Sequence, residues 1–170
     1  MPDPISDLLD AAEAQEAAGD PRGALALLDQ VIVRAPDLAV AHYRRGMLQL
    51  FELDSPGDAL ADVSRAASLG ITAHGIPPCQ VDYLVGEALF GLDRFDEARA
   101  KLTAALDAND DPVLVAEIQY RLAECADELG NEDDLRRALS AFLDRKEVFL
   151  ESGGEPSWIE WATETLAELA

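Results

Sequence analysis

Basic residues are scarce in this chain. Its 170 residues carry 13 Lys and Arg against 34 Asp and Glu, a formal net charge of −21. Such a field repels nucleic acid and anionic lipid, which are bound through clustered Lys and Arg. Cysteine is scarcer still. Cys79 and Cys125 are the only two, and they lie far apart. They make neither a disulfide framework nor the close ligand pairs of a zinc site. A buried thiol is expected for Cys125, and partial exposure for Cys79, which follows Pro77-Pro78 in a linker. The two histidines, His42 and His74, are also distant, so no metal site and no cofactor are expected. Aromatics make up 6% of the chain, which argues against a thick sheet core. No apolar run reaches the roughly 18 residues of a membrane span. Met1–Asp7 has neither the basic region nor the apolar core of a signal peptide, so the cytoplasm is the expected compartment. There is no Gly-rich phosphate loop, no Gly-x-Ser-x-Gly and no triad setting for a histidine, so no enzyme is expected.

What is present is helical spacing. Hydrophobic residues reach 49%, too many for a disordered chain. Ile5, Leu8, Leu9 and Ala12 form an i, i+3, i+4, i+7 stripe, and Ala24, Leu27, Leu28 and Val31 form another. Nine helices are predicted, over about 5–17, 22–34, 38–52, 56–69, 79–91, 95–108, 112–129, 132–148 and 156–170. Asp20-Pro21 and Asp111-Pro112 pair a side-chain cap with proline at the first helical position. Asp37 is expected to cap the third helix. Ser55 with Asp58, and Ser157 with Glu160, read as capping boxes. Gly70 supplies the left-handed residue past the fourth helix. Residues 70–78, Gly-Ile-Thr-Ala-His-Gly-Ile-Pro-Pro, read as a linker that cannot be helical. No strand pattern survives.

The helix turns recur. Ala24, Ala59, Ala98 and Leu135 follow Gly19-Asp20-Pro21, Asp54-Ser55-Pro56, Asp93 to Glu97, and Gly130-Asn131. Their spacings are 35, 39 and 37 residues (59−24, 98−59, 135−98). A stacked helix-turn-helix repeat has a period of about 34 residues. Small residues stand at matching helix positions: Ala12, Ala24 and Pro36 in the first copy; Gly46, Ala59 and Ala66 in the second; Gly86, Ala98 and Ala105 in the third; Ala123 and Gly130 in the fourth. The pattern resembles the tetratricopeptide repeat family over about residues 5–146. The resemblance implies an all-α fold, a right-handed α-α superhelix of antiparallel helix pairs. The pairs would span about 5–36, 38–69, 79–109 and 112–148, with a linker at 70–78. A C-terminal helix, 156–170, would cap the array, with Trp158, Ala162, Thr165, Leu166 and Leu169 inward. Trp161 would sit at the stripe's margin or stand out as an aromatic anchor.

In that family the first helix of each pair lines a concave groove. Carried over residue by residue, the resemblance places Tyr43, Met47 and Leu50 there from the second copy. It adds Tyr83, Glu87 and Phe90 from the third, and Tyr120, Glu124 and Asp127 from the fourth. The three tyrosines fall at one position of successive copies, either lining the groove or packing between helices. Acid increases along the chain: residues 1–106 hold 17 acids and 8 bases, residues 107–170 hold 17 and 5. Arg44 and Arg121 are the only cations near groove positions, which opposes the Lys/Arg clamp some relatives use on a C-terminal carboxylate. The expected function is a non-enzymatic adaptor binding a partner peptide, apolar or amphipathic with basic residues. A cytoplasmic chaperone for a secreted or assembly-prone protein is the alternative. Self-association into a homo-oligomer is a further one.

Overall fold

The computed structural model describes residues 4–169. Among these residues there are ten α-helices and no strand. The first four are α1 (Pro4–Ala17), α2 (Pro21–Arg34), α3 (Ala39–Phe51) and α4 (Pro56–Ser68). A 3₁₀ turn (Ile71–His74) follows. Then come α5 (Pro78–Phe90), α6 (Phe95–Asp107), α7 (Pro112–Glu128), α8 (Glu132–Leu143), α9 (Lys146–Glu151) and α10 (Pro156–Glu168). The chain divides into two compact units between Pro77 and Pro78. In the first unit α1 pairs with α2, α3 with α4, and α2 packs on α3. In the second, α5 pairs with α6, α7 with α8, and α6 packs on α7. The fold class is all-α, built from helix-turn-helix repeats.

The small residues do what their positions predict. A Cβ on Gly46 would lie 2.7 Å from Val63 Cγ2, and one on Gly86 would lie 2.7 Å from Leu102 Cγ. Each glycine sits where the first helix of a pair touches the second. Ala12, Ala24 and Leu28 close the α1–α2 interface with no exposed surface, and Leu102, Ala105 and Ile118 are as fully buried in the second unit. No helix among the described residues is long and apolar enough to cross a membrane.

Local signals at the turns fare unevenly. Asp20 accepts from Gly23 N–H, Asp111 from Val113 N–H, and Asn131 from Asp134 N–H, so these caps form. Gly70 has φ +80, the left-handed conformation the sequence predicts. Three other caps do not form. Leu38, not Asp37, precedes α3, and Asp37 instead pairs with Arg65 at 2.6 Å. Ser55 donates its hydroxyl to Leu53 O and caps nothing. Ser157 lies inside the first turn of α10, because Pro156 starts the helix one residue earlier. The linker is also not wholly irregular. Ile71 is fully buried, and its 3₁₀ turn packs on the ends of α3 and α4. One apolar side chain is enough to order four residues between two glycines.

The expected helix over 132–148 breaks after Leu143, and a separate α9 follows. In one straight helix Phe142 and Phe149 would stand about 10 Å apart along the axis. Here their rings lie 5.2 Å apart, edge to face. A turn at Asp144-Arg145 redirects the chain so that both rings enter one core, with Phe149 2% exposed. Cys79 also departs from expectation. It lies in the first turn of α5 and is buried, as is Cys125. Burial pushes the Cys125 thiol up to about 12. Ala170, the last residue of the expected terminal helix, lies outside the described residues.

Candidate functional site

The first helices of the pairs are α1 and α3 in one unit, α5 and α7 in the other. In the second unit their facing side chains are locked together. Arg121 on α7 donates Nε–H to Glu87 Oε1 at 2.8 Å and Nη2–H to Glu87 Oε2 at 2.9 Å. It also reaches Glu124 at 2.6 Å. Its guanidinium lies 4.4 Å over the Phe90 ring, a cation–π contact. Tyr83 donates its hydroxyl to Glu117 at 3.3 Å. Both Tyr83–Glu117 and Glu87–Arg121 span 34 residues, so α5 and α7 meet in register one repeat apart. The Glu87 side chain is 8% exposed and the Arg121 side chain 21%.

One cation thus serves a face with three carboxylates: Glu87, Glu117 and Glu124. Burial raises the Glu117 and Glu124 carboxyls above the usual glutamate value, despite the hydrogen bond from Tyr83 and the attraction of Arg121, respectively. Burial also raises the Tyr83 phenol, and the charges of Glu87 and Glu117 add to this. Burial opposes the charge on Arg121, but Glu87 and then Glu124 outweigh it and hold the proton. Asp127, one turn beyond Glu124, is exposed and completes the acidic end.

Tyr120 touches this face only through its hydroxyl, which reaches Glu124. It is 8% exposed and stacks on Trp158 of α10 at 4.0 Å, with the rings 10° from parallel. Phe142 and Trp161 meet it edge-on, each at 5.3 Å. Trp161 therefore packs at the margin of the α10 stripe. Tyr43 in the first unit is 7% exposed and is likewise a packing residue. Only Tyr83 of the three remains partly accessible, with its hydroxyl engaged.

The first unit offers a different surface. A hollow of about 370 Å³ opens between α1, the turn after it, and α3. Met47, Leu48 and Phe51 form its apolar wall, with Glu16, Arg44 and Glu52 at its edge. Met47 is 38% exposed and Phe51 51%. They are four residues apart and so share one face of α3. Leu50 is half-buried beside them. Arg44 is held at 2.9 Å by Glu16, and Glu13 stands 3.9 Å away. Sequence reasoning missed Phe51, because it lies one residue past the groove positions implied by the resemblance. Its spacing from Met47 is the signal that could have found it.

Behind this hollow a buried polar network fixes α3. Arg45 donates to both oxygens of Asp62 at 2.7 Å and to Asp29 at 2.7 Å. The His42 ring bridges Asp62 and Pro36 O, at 3.0 and 2.9 Å. Burial would raise the Asp62 carboxyl, but the hydrogen bonds from Arg45 and His42 hold it below the usual aspartate value.

These shifts set a pH profile. Glu117 and Glu124 bind protons more readily folded than unfolded, so stability grows as pH falls from neutral toward their folded values, above 4.5. Relief of self-repulsion at a net charge of −21 acts in the same direction. Asp62 acts oppositely: its contribution is present above 3.8 and is lost as pH falls through its lower folded value. Thermal melts at constant ionic strength are expected to show Tm rising by roughly 2–4 °C from pH 7 to 5, an effect of about 1 kcal/mol. Tm should then drop below pH 3.8. A Tm that falls steadily from pH 7 would contradict this assignment of burial.

The tetratricopeptide repeat family model matches two stretches, residues 9–74 and 83–147. No curated protein matches the chain in sequence. Among solved structures, a MamA protein superposes with a TM-score of 0.73 at 21% identity, covering 97% of this chain and 85% of its own. YrrB, described as a tetratricopeptide repeat protein with an unusual peptide-binding site, gives 0.66 at 18% identity over 81% and 66%. PilW, a type IV pilus biogenesis factor, gives 0.69 at 19% identity over 85% and 63%. At these identities the likeness is one of fold.

Proposed function

The chain belongs to the tetratricopeptide repeat family, and on that premise we propose that it is a non-enzymatic adaptor holding a peptide segment of a partner protein. The observation that carries this reading is the hollow beside α3, where Met47 and Phe51 stand exposed within an acidic edge. Its volume is near the lower end of ligand pockets, which run from about 300 to 1,000 Å³. That suits one or two apolar side chains of a peptide. Glu16 and Glu52 bring two carboxylates to its edge against the single Arg44, which Glu13 also approaches, so a segment with Lys or Arg beside its apolar residues fits. Glu117, Glu124 and Asp127 extend the same preference to the second unit. The YrrB peptide-binding site is a precedent on this fold. A chaperone for an assembly-prone protein would use the same hollow, since the flexible Met47 side chain adapts to varied partners.

The test uses a fluorescein-labelled amphipathic helix of Leu and Arg, read by anisotropy. Met47→Ser with Phe51→Ser, which leaves the charge unchanged, is expected to weaken binding about tenfold or more, the effect of losing roughly 1.4 kcal/mol of anchor contact. Helix content should be unchanged, because both side chains are already exposed. Association should slow markedly as salt screens the acidic edge. Equal affinity for the parent and the double variant would remove the hollow from the function.

A further inference from the structure

α10 is held by a slot that suits a helix of its own kind. Trp158 enters between Tyr120, at 4.0 Å, and Phe149, at 5.2 Å, stacked on both. Ala162 is the single fully buried residue of α10, and Ile159, Trp161, Leu166 and Leu169 rest half-buried on the α7–α8 core. Arg136 of α8 donates to the carbonyl of Leu169, meeting the negative end of the α10 dipole. Glu160, Glu164 and Glu168 face outward. The contacts of α10 come from α7, α8 and α9, and nothing in them requires α10 to belong to the same chain.

The return of α10 onto its own chain depends on two glycines. Gly153 has φ +92, a left-handed conformation that other residues adopt only with strain. Gly154 lies flat against Phe149, and a Cβ there would run into that ring. Gly154 N–H also donates to Phe149 O at 2.9 Å, closing the turn. The hinge is therefore tight, short and sensitive to side chains.

We propose that α10 exchanges between two copies of this chain, with Ser152–Glu155 as the hinge, and that Gly153 and Gly154 hold it in the intramolecular position. In the exchanged dimer Trp158 of each copy fills the Tyr120–Phe149 slot of the other. Every native contact of α10 is recreated and only the hinge changes, which is why such exchange is a low-cost route to dimers. A second copy is favoured over a foreign helix because the slot reads features of α10 itself: a tryptophan early in the helix, an alanine one turn later, and an end placed for Arg136. Each chain carries a net charge of −21, so added salt screens the repulsion between copies and promotes the dimer.

The experiment follows Gly154→Val in the full chain by light scattering over a range of concentrations. The expected mass rises from 18.3 kDa toward twice that value as concentration and salt increase. Helix content and tryptophan emission should match the parent. Adding Trp158→Ala to Gly154→Val should return a monomer. A chain lacking Gly153 and Gly154, too short at the hinge to turn back, provides a second route to the dimer without a new side chain near Phe149. Monomers from both hinge variants overturn the proposal, as does a dimer that survives Trp158→Ala. Neither outcome touches the peptide-binding hollow, which lies in the other unit.

Discussion

Arg121→Met is expected to destabilise the protein by about 3–5 kcal/mol at neutral pH, the range for removing one partner of a buried ion pair. The substitution keeps most of the volume and removes the charge. Glu87 loses both hydrogen bonds to Arg121 while remaining buried. Glu124 loses its partner at 2.6 Å, and the Phe90 ring loses the cation above it. Three carboxylates then share a face with no counter-charge. The loss should shrink as pH falls toward 5, because protonating Glu117 and Glu124 removes part of the repulsion. A second substitution, Glu87→Gln in the Arg121→Met background, should recover a sizeable part of the loss, since a neutral amide is cheaper to bury alone than a carboxylate. Arg94→Met serves as the control. Arg94 pairs with Glu97 at 2.7 Å on an open surface, where screening leaves such pairs little net effect. Urea denaturation of the parent and the three variants at pH 7 and pH 5 provides the comparison. An Arg121→Met midpoint as close to the parent as that of Arg94→Met would show that the pair is not buried in solution.

The same residues show what the sequence made legible. Asp20-Pro21, Asp111-Pro112, Gly70 and Asn131 act within a few residues of themselves, so their caps and turns could be read directly. Gly46 and Gly86 could be read because a recurring small residue at fixed spacing is itself the trace of a close helix contact. Asp37, Ser55 and Ser157 look like equally good local signals and fail. Each met a competitor: a distant Arg65 for Asp37, the Leu53 carbonyl within the same turn for Ser55, and a helix started one residue earlier by Pro156 for Ser157. Arg121 could be found as a lone cation among acids. Its bidentate bond to Glu87 could not, because that pairing is set by how α5 and α7 stack. Phe149 carries the same lesson: its apolar character was visible, but the turn that places it against Phe142 depends on a core formed by residues from other helices. Met47 stood at a groove position, and its partner Phe51 lay one residue outside the repeat frame, so only the surface geometry joined them.

Tyr120→Ala is expected to cost about 3–4 kcal/mol, close to the loss of a fully buried aromatic. Tyr43, Tyr83 and Tyr120 occupy one position of successive repeats, and a repeat frame alone treats them as equals. They differ in what covers them. α10 folds back over Tyr120, and three rings surround it: Trp158 stacked, Phe142 and Trp161 edge-on. Burial pushes its phenol up to about 12, and the nearby Glu124 charge adds to that. Truncating it leaves a void beneath Trp158 that neighbouring rings cannot fill without leaving their own contacts. Tyr83→Ala removes a partly accessible ring with no aromatic partner among the described residues and one 3.3 Å hydrogen bond to Glu117, so its cost should be lower, about 2 kcal/mol. Tyr120→Phe should stay close to the parent, because the stacked ring survives. The readout is a urea midpoint together with tryptophan emission. Both tryptophans of the chain touch Tyr120, so Tyr120→Ala should shift emission to the red while Tyr83→Ala leaves it in place. If Tyr120→Ala unfolds no more easily than Tyr83→Ala, with unchanged emission, then α10 does not cover this position in solution. Tyr120 would then return to the surface where the repeat frame alone puts it. Equivalent repeat positions therefore meet different surroundings: α10 buries Tyr120, Tyr43 is buried within its own unit, and Tyr83 stays partly accessible.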